Sequence, residues 1–353
     1  MPNRPQSNGI DLRERVHIDA LVLGVFVLQT AIALYALSPT PNSNHVSSDV
    51  ADELILVDAL PEMSPLDIVP ETPPVVAPIV IPERGPRDLS ESERIPSGSS
   101  FVTVFGNGPN DDAWHVATHS NKNHAFFAND WGRNSAEFSS DGVRLNVGRD
   151  GDRWVSGEVK TKTLYGYGRY EVVMKPAKAS GLVSAFFTYT GPYFGDPHDE
   201  IDIEFVGNNT RSVEFNYFKN GRTENHHVLE LPFDASEHFH IYAFEWYPDS
   251  IRWFIDGELV FETPEGDANI PRTPGSIYMN MWTGSLWGLK SWHGEPEFQV
   301  GTSSEYACVS FTEPGDNSRR CGDLFRPPIR AEGQYVGLVT DDPSAQIVNA
   351  SAP

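Results

Sequence analysis

Basic charge, cysteine and, over one long stretch, aromatic side chains are scarce in this sequence. Its 26 Lys and Arg face 49 Asp and Glu, a net charge of −23 at pH 7. That balance excludes nucleic acid as a partner, because phosphate recognition needs a basic footprint. It also excludes docking on anionic lipid through a basic patch. Two cysteines build neither a disulfide-rich scaffold nor a multi-cysteine zinc site. No glycine-rich phosphate loop, dinucleotide fingerprint or solenoid-period repeat is present, and no amphipathic helical pattern runs beyond a few turns.

What is present changes along the chain. Ala20 to Leu37 is apolar except for Gly24, Gln29 and Thr30. Such a stretch is roughly 27 Å long as a helix, close to the hydrocarbon thickness of a bilayer. Arg4, Arg13 and Arg15 precede it, whereas Asp49, Asp52 and Glu53 follow, an asymmetry that places the N-terminus inside and the bulk of the chain outside. The run is long for a cleaved signal and Ala33-Leu-Tyr-Ala36 makes a poor cleavage site. The expectation is one transmembrane signal anchor over 20–37 behind a cytoplasmic segment 1–19. The catalytic part then stands outside the cytoplasm, periplasmic or extracellular, and is secreted if the anchor is cut.

Residues 38–98 hold eleven of the 28 prolines, eleven acidic and three basic residues, and no Phe, Tyr or Trp. Too little apolar surface is available there to offset ordering entropy, which predicts a disordered linker. All eight tryptophans fall between Trp114 and Trp292, marking one folded domain over 99–312 and leaving 313–353 as a C-terminal extension. Short β-branched and aromatic runs such as Tyr170–Lys175, Val213–Tyr217, Ile241–Trp246 and Ile251–Ile255 alternate with turn pairs Asp141-Gly142, Asn220-Gly221 and Asp256-Gly257. The pattern predicts an all-β antiparallel sandwich or barrel. Trp246 and Trp253, set in dense apolar strands, are assigned to its core. Cys308 and Cys321 either pair, as suits an exported domain, or stay as free thiols.

The most informative stretch is His198-Asp-Glu-Ile-Asp-Ile-Glu-Phe205. Period-two alternation puts Glu200, Asp202 and Glu204 on one strand face and Ile201, Ile203 and Phe205 on the other. Three like charges on a face repel, and no Lys, Thr or Ser separates them. Crowding of this kind raises the proton affinity of at least one carboxyl group. Glycoside cleavage with retention uses such a pair, one carboxylate as nucleophile and one protonated acid. Positions i and i+4 have Cα atoms roughly 13 Å apart, whereas retaining carboxyl groups lie about 5–5.5 Å apart. The two glutamates must therefore lean together from a concave sheet.

Sugars show apolar ring faces and hydroxyl edges, so a site for them needs aromatic platforms with amide and carboxylate partners. Phe187 and Tyr189 precede the carboxylates on one strand face, Asn216 follows on the next strand, and Trp282, Trp287 and Trp292 add aromatic surface. His226, His227 and His240 lack metal-site spacing.

In this order, Tyr165–Gly168, Lys175–Lys178, Phe186–Pro192, Asp199–Phe205, Phe215–Tyr217, Phe233–Ser236 and Met279–Trp282 resemble glycoside hydrolase family 16, in its lichenase (endo-β-1,3-1,4-glucanase) branch. The resemblance covers roughly residues 100 to 310. It implies a β-jelly roll with a concave substrate cleft, with Glu200 as nucleophile, Glu204 as general acid/base and Asp202 tuning both. It further implies that Glu158, Phe187, Tyr189, Asn216 and Trp282 line the sugar subsites. Two subsite positions depart from the branch. Lys160 replaces an arginine and loses its planar fork, and His198 replaces a tryptophan platform. Ala307 stands where lichenases carry a calcium-ligating aspartate, which puts a structural calcium site in doubt; no cofactor is expected. The expected substrate is a mixed-linkage β-1,3-1,4-glucan or a related succinoglycan-like exopolysaccharide. A transglycosylase, or a carbohydrate-binding surface protein without catalysis, are the alternatives.

Overall fold

Asp256 and Gly257 both take positive φ, 52° and 84°. They join the strands Ser250–Ile255 and Glu258–Glu262 through the two-residue turn that an Asp-Gly pair favours. In the computed structural model the described residues are 87–325 apart from 106–107, 109–110, 125, 224–225 and 286, with the backbone of 330–331 and 334–335. The expected span over 20–37 lies outside them. Among the described residues no helix is long and apolar enough to cross a membrane.

Two antiparallel sheets stack face to face, as the sequence predicts. One follows the order Glu258–Glu262, Ser250–Ile255, His240–Tyr247, Gly168–Lys175, Ser303–Thr312, Gly142–Asn146 and Ala136–Ser139, with Phe101–Thr103 also paired to Ser303–Thr312. The other runs His227–Glu230, Ser212–Phe218, Asp199–Val206, Val183–Thr190, Ser276–Trp282, Glu158–Thr161 and Trp114–Val116. Alternation sends Ile201, Ile203 and Phe205 into the space between the sheets, where all three are fully buried. Phe205 meets Tyr242 edge-on at 4.9 Å and Phe215 stacks on Trp253 at 5.5 Å. Truncating such a ring to Ala costs about 3–5 kcal/mol. Trp246 and Trp253 belong to this core.

The far face of the first sheet carries a ladder of buried ions. Arg169 holds Glu171 at 2.6 Å and Glu245 at 3.0 Å, and Arg252 closes on Glu245. The helix Cys321–Leu324 covers this face: Gly322 donates its N–H to Glu171 at 2.9 Å, and Cys321 is bonded to Cys308.

The folded body exceeds the expected 99–312 at both ends. Leu89 is buried in the main core and Ile95 packs against it. Gly98 N–H donates to the Leu164 carbonyl at 2.9 Å, and Gly166 N–H to Ser97 Oγ at 3.0 Å. Residues 87–98 therefore belong to the domain rather than to the linker, because a sparse set of apolar side chains finds an existing groove. The expected extension likewise begins as part of the body, through Phe325.

Candidate active site

The strand register lines up three rungs across the second sheet. Residues directly opposite in an antiparallel pair share a face. At the first rung Phe218, Glu200, Tyr189 and Ser276 stand side by side; at the second, Asn216, Asp202, Phe187, Tyr278 and Lys160. The third reads Glu214, Glu204, Ala185, Asn280 and Glu158. The alternation read from the carboxylate strand thus propagates over five strands, and the face opposite the core is a floor of carboxylates, amides and aromatic rings.

Each carboxyl group has distinct surroundings. Glu200 stands 2.5 Å from Nε2 of His198, whose ring stacks on Phe218 at 5.0 Å and meets Tyr189 edge-on at 5.2 Å. Asp202 is buried, and its carbonyl oxygen accepts the indole N–H of Trp253 at 3.2 Å. Burial holds the Asp202 carboxyl well above the usual carboxylate range, and the charges of Glu200 and Glu204 and a hydrogen bond with Glu200 add to this. Glu204 is also pushed well up, first by burial, then by Glu214 and Glu200. Burial lifts Glu158 to about 7 against the opposing effects of Asn280, whose amide donates at 3.2 Å, and of Lys160. Burial likewise holds the Lys160 ammonium below its usual range.

Of the residues expected from sequence, Glu158, Lys160, Phe187, Tyr189, Asn216, Trp282 and the three carboxylates share this face. Phe187 stacks on Tyr278 at 4.9 Å. Lys160 Nζ donates to the Tyr278 hydroxyl at 3.2 Å and lies 4.6 Å from the Phe194 ring centroid. Asn216 Oδ1 accepts from the Thr223 hydroxyl at 2.5 Å. Trp282 is packed against Phe126, with Trp292 at 5.9 Å. Two of the expected residues carry contacts that the sequence does not show. His198 is buried, stacked on Phe218 and in contact with Glu200. Trp292 reaches the site through Glu214, donating its indole N–H to both carboxylate oxygens at 2.9 and 3.0 Å. The Trp287 side chain lies outside what the structure describes.

Glu214, Tyr278 and Asn280 are not singled out by the sequence. Each sits at an alternate position beside a residue that is, so the strand period carries the signal, but only pairing shows which strands adjoin. The histidines hold ordinary partners: His226 contacts Glu214 at 2.5 Å, His227 stacks on Phe261, and His240, which is buried rather than at the surface, contacts Asp256 at 2.7 Å. Among the described residues no three His, Cys, Asp or Glu side chains converge as a metal site.

Comparison with known proteins places the same region. A model of glycosyl hydrolases family 16 matches residues 122–300. A beta-glucanase of Bacillus subtilis is 44% identical over 220 residues, covering 62% of this chain and 88% of that protein. One from Acetivibrio thermocellus is 42% identical over 218 residues, and the match spans 61% of this chain and 63% of that protein, less than two thirds of its length. The solved Bacillus licheniformis beta-glucanase superposes with a TM-score of 0.58 at 41% identity, over 62% of this chain and all of that one.

Proposed function

The chain belongs to glycosyl hydrolase family 16, and from that premise we propose that it is a retaining endo-β-glucanase acting by double displacement on a mixed-linkage β-1,3-1,4-glucan or a related exopolysaccharide. The observation that carries this reading is the unequal treatment of two carboxyl groups on one strand face. Glu204 stands opposite Glu214, and burial and that neighbouring charge hold its carboxyl well above the usual carboxylate range, whereas Glu200 is contacted by the His198 ring nitrogen.

In the first step an oxygen of Glu200 attacks the anomeric carbon while Glu204 gives its proton to the departing glycosidic oxygen. The C–O bond breaks and a glycosyl ester forms. In the second step Glu204 takes a proton from water, the water oxygen attacks the same carbon, and the ester bond to Glu200 breaks. Two inversions leave the original β configuration. Asp202, its carboxyl held well above the usual carboxylate range between two glutamates, keeps Glu200 in line through their hydrogen bond. The Phe187–Tyr278 stack and Tyr189 offer faces for pyranose rings.

The apolar 20–37 segment supports a second part of the proposal. The enzyme is anchored in a membrane with its catalytic domain outside the cytoplasm, on the proline-rich acidic stretch ahead of residue 87.

The test is proton NMR of new reducing ends as the full-length protein digests mixed-linkage β-glucan. Early appearance of the β-anomer is expected. Glu200→Gln and Glu204→Gln each lower turnover at least about a hundredfold with the thermal unfolding midpoint kept. An early α-anomer, or normal turnover in either variant, would overturn the mechanism. Inertness on this polymer with cleavage of a β-linked exopolysaccharide moves the substrate assignment only.

A further inference from the structure

Glu204 has a second carboxylate against it that the two-step reaction does not use. Glu214 lies directly opposite it in the register of Asp199–Val206 and Ser212–Phe218, a relationship that brings Cα atoms to about 4.5–5.5 Å. Like charges so placed destabilise a strand pair, so the arrangement persists only with compensation. The compensation all goes to Glu214. Trp292 spans both of its oxygens with one indole N–H, and Nε2 of His226 stands 2.5 Å from Oε2. The Trp292 carbonyl is in turn held by the Asn208 amide at 3.1 Å. An indole N–H can only donate, so both Glu214 oxygens accept from Trp292.

The groups facing Glu204 come from three strands. Its own strand supplies Asp202 and Glu200, Val183–Thr190 supplies only the uncharged Ala185, and Ser212–Phe218 supplies Glu214. Beyond Glu214 come His226 and the Trp292 indole. Both charges that act on Glu204 are negative, and that of Glu214 is the larger.

We infer that Glu214 is a positioning residue for the acid/base step, its carboxylate fixed by Trp292 and His226 so that it disfavours a bare charge on Glu204 and keeps the proton there for the leaving oxygen. The inference rests on the acid/base reading of Glu204 and deepens it.

Glu214→Gln keeps the shape and removes the charge, whereas Glu214→Asp keeps the charge and shortens the side chain. A like charge disfavours ionisation of its neighbour, so its loss lets Glu204 ionise earlier. The expected result for Glu214→Gln is a fall of about one pH unit in the alkaline limb of kcat/KM. Glu214→Asp should hold that limb nearer to its original position. Titration of the Glu204 carboxyl by carbon NMR on the substrate-free full chain, assigned by its disappearance in Glu204→Gln, should show the same downward shift. An unmoved Glu204 titration in Glu214→Gln would overturn the inference even if the protein cleaved glucan normally. A shifted titration in a protein inert on every glucan would sustain it and count against the proposed reaction instead. An equal loss of rate at every pH with the limb unmoved would assign Glu214 to sugar binding.

Discussion

Nε2 of His198 lies 2.5 Å from Oε2 of Glu200, and the His198 ring is wedged between the face of Phe218 and the edge of Tyr189. The residue just ahead of the carboxylate strand is thus tied to the first of its three carboxylates. The stack fixes the ring plane, and the ring plane aims the nitrogen. An aromatic ring without that nitrogen would fill the space and leave Glu200 without this partner.

His198→Phe is therefore expected to fold and to lower kcat about ten- to a hundredfold, with KM little changed. Loss of one hydrogen bond to a charged group costs about 1.5–3 kcal/mol, and each 1.36 kcal/mol of barrier is tenfold in rate. Steady-state kinetics on a soluble glucan measures the split. A raised KM with unchanged kcat would make His198 a sugar contact instead.

The Cys308–Cys321 bond closes a loop with a sequence separation of 13 on the sheet that faces away from the carboxylates. A loop of that size restrains the unfolded chain by about 3 kcal/mol. Cys308→Ser, or reduction, is expected to lower the unfolding temperature by roughly 5–10 °C while activity at 25 °C stays within twofold. Differential scanning calorimetry with and without reductant checks it. An unchanged midpoint would mean that the bridge contributes nothing to native stability.

Local pattern alone makes the carboxylate strand and the hairpin turns legible. In Glu200-Ile-Asp-Ile-Glu204 polarity alternates without exception, and Asp256-Gly257 leaves the backbone little choice of turn. Glu214 is illegible for the opposite reason. It is a lone acid between Val213 and Phe215, and its meaning comes from facing Glu204 across a register that no local signal specifies. Leu89 escapes a sequence reading because one apolar residue among charges reads as linker until a groove lined by the domain receives it. The role of His198 turns on a contact two residues along its own chain, which depends on how the ring stacks. Family resemblance names the position but marks it only as a lost sugar platform.

Glu158 gives a stability prediction whose sign follows from burial. Burial raises its folded value to about 7 from the usual 4.5, against the opposing hydrogen bond from Asn280 and the charge of Lys160. Below about pH 4.5 the group is protonated in both the folded and the unfolded chain, and the folded state bears no penalty from it. Between 4.5 and 7 the unfolded chain releases the proton and the folded chain keeps it, so stability falls as pH rises; above 7 the loss is complete. Asp202 and Glu204, raised for the same first cause, contribute in the same direction. Glu158→Gln keeps the size of the side chain and removes its titration. It should match the parent protein near pH 4 and exceed it by an amount of order 2–3 kcal/mol at pH 8. Urea unfolding at both pH values reads the difference. A gain of the same size at both would locate the effect in packing, and no gain at pH 8 would show that Glu158 ionises in the folded chain at no cost.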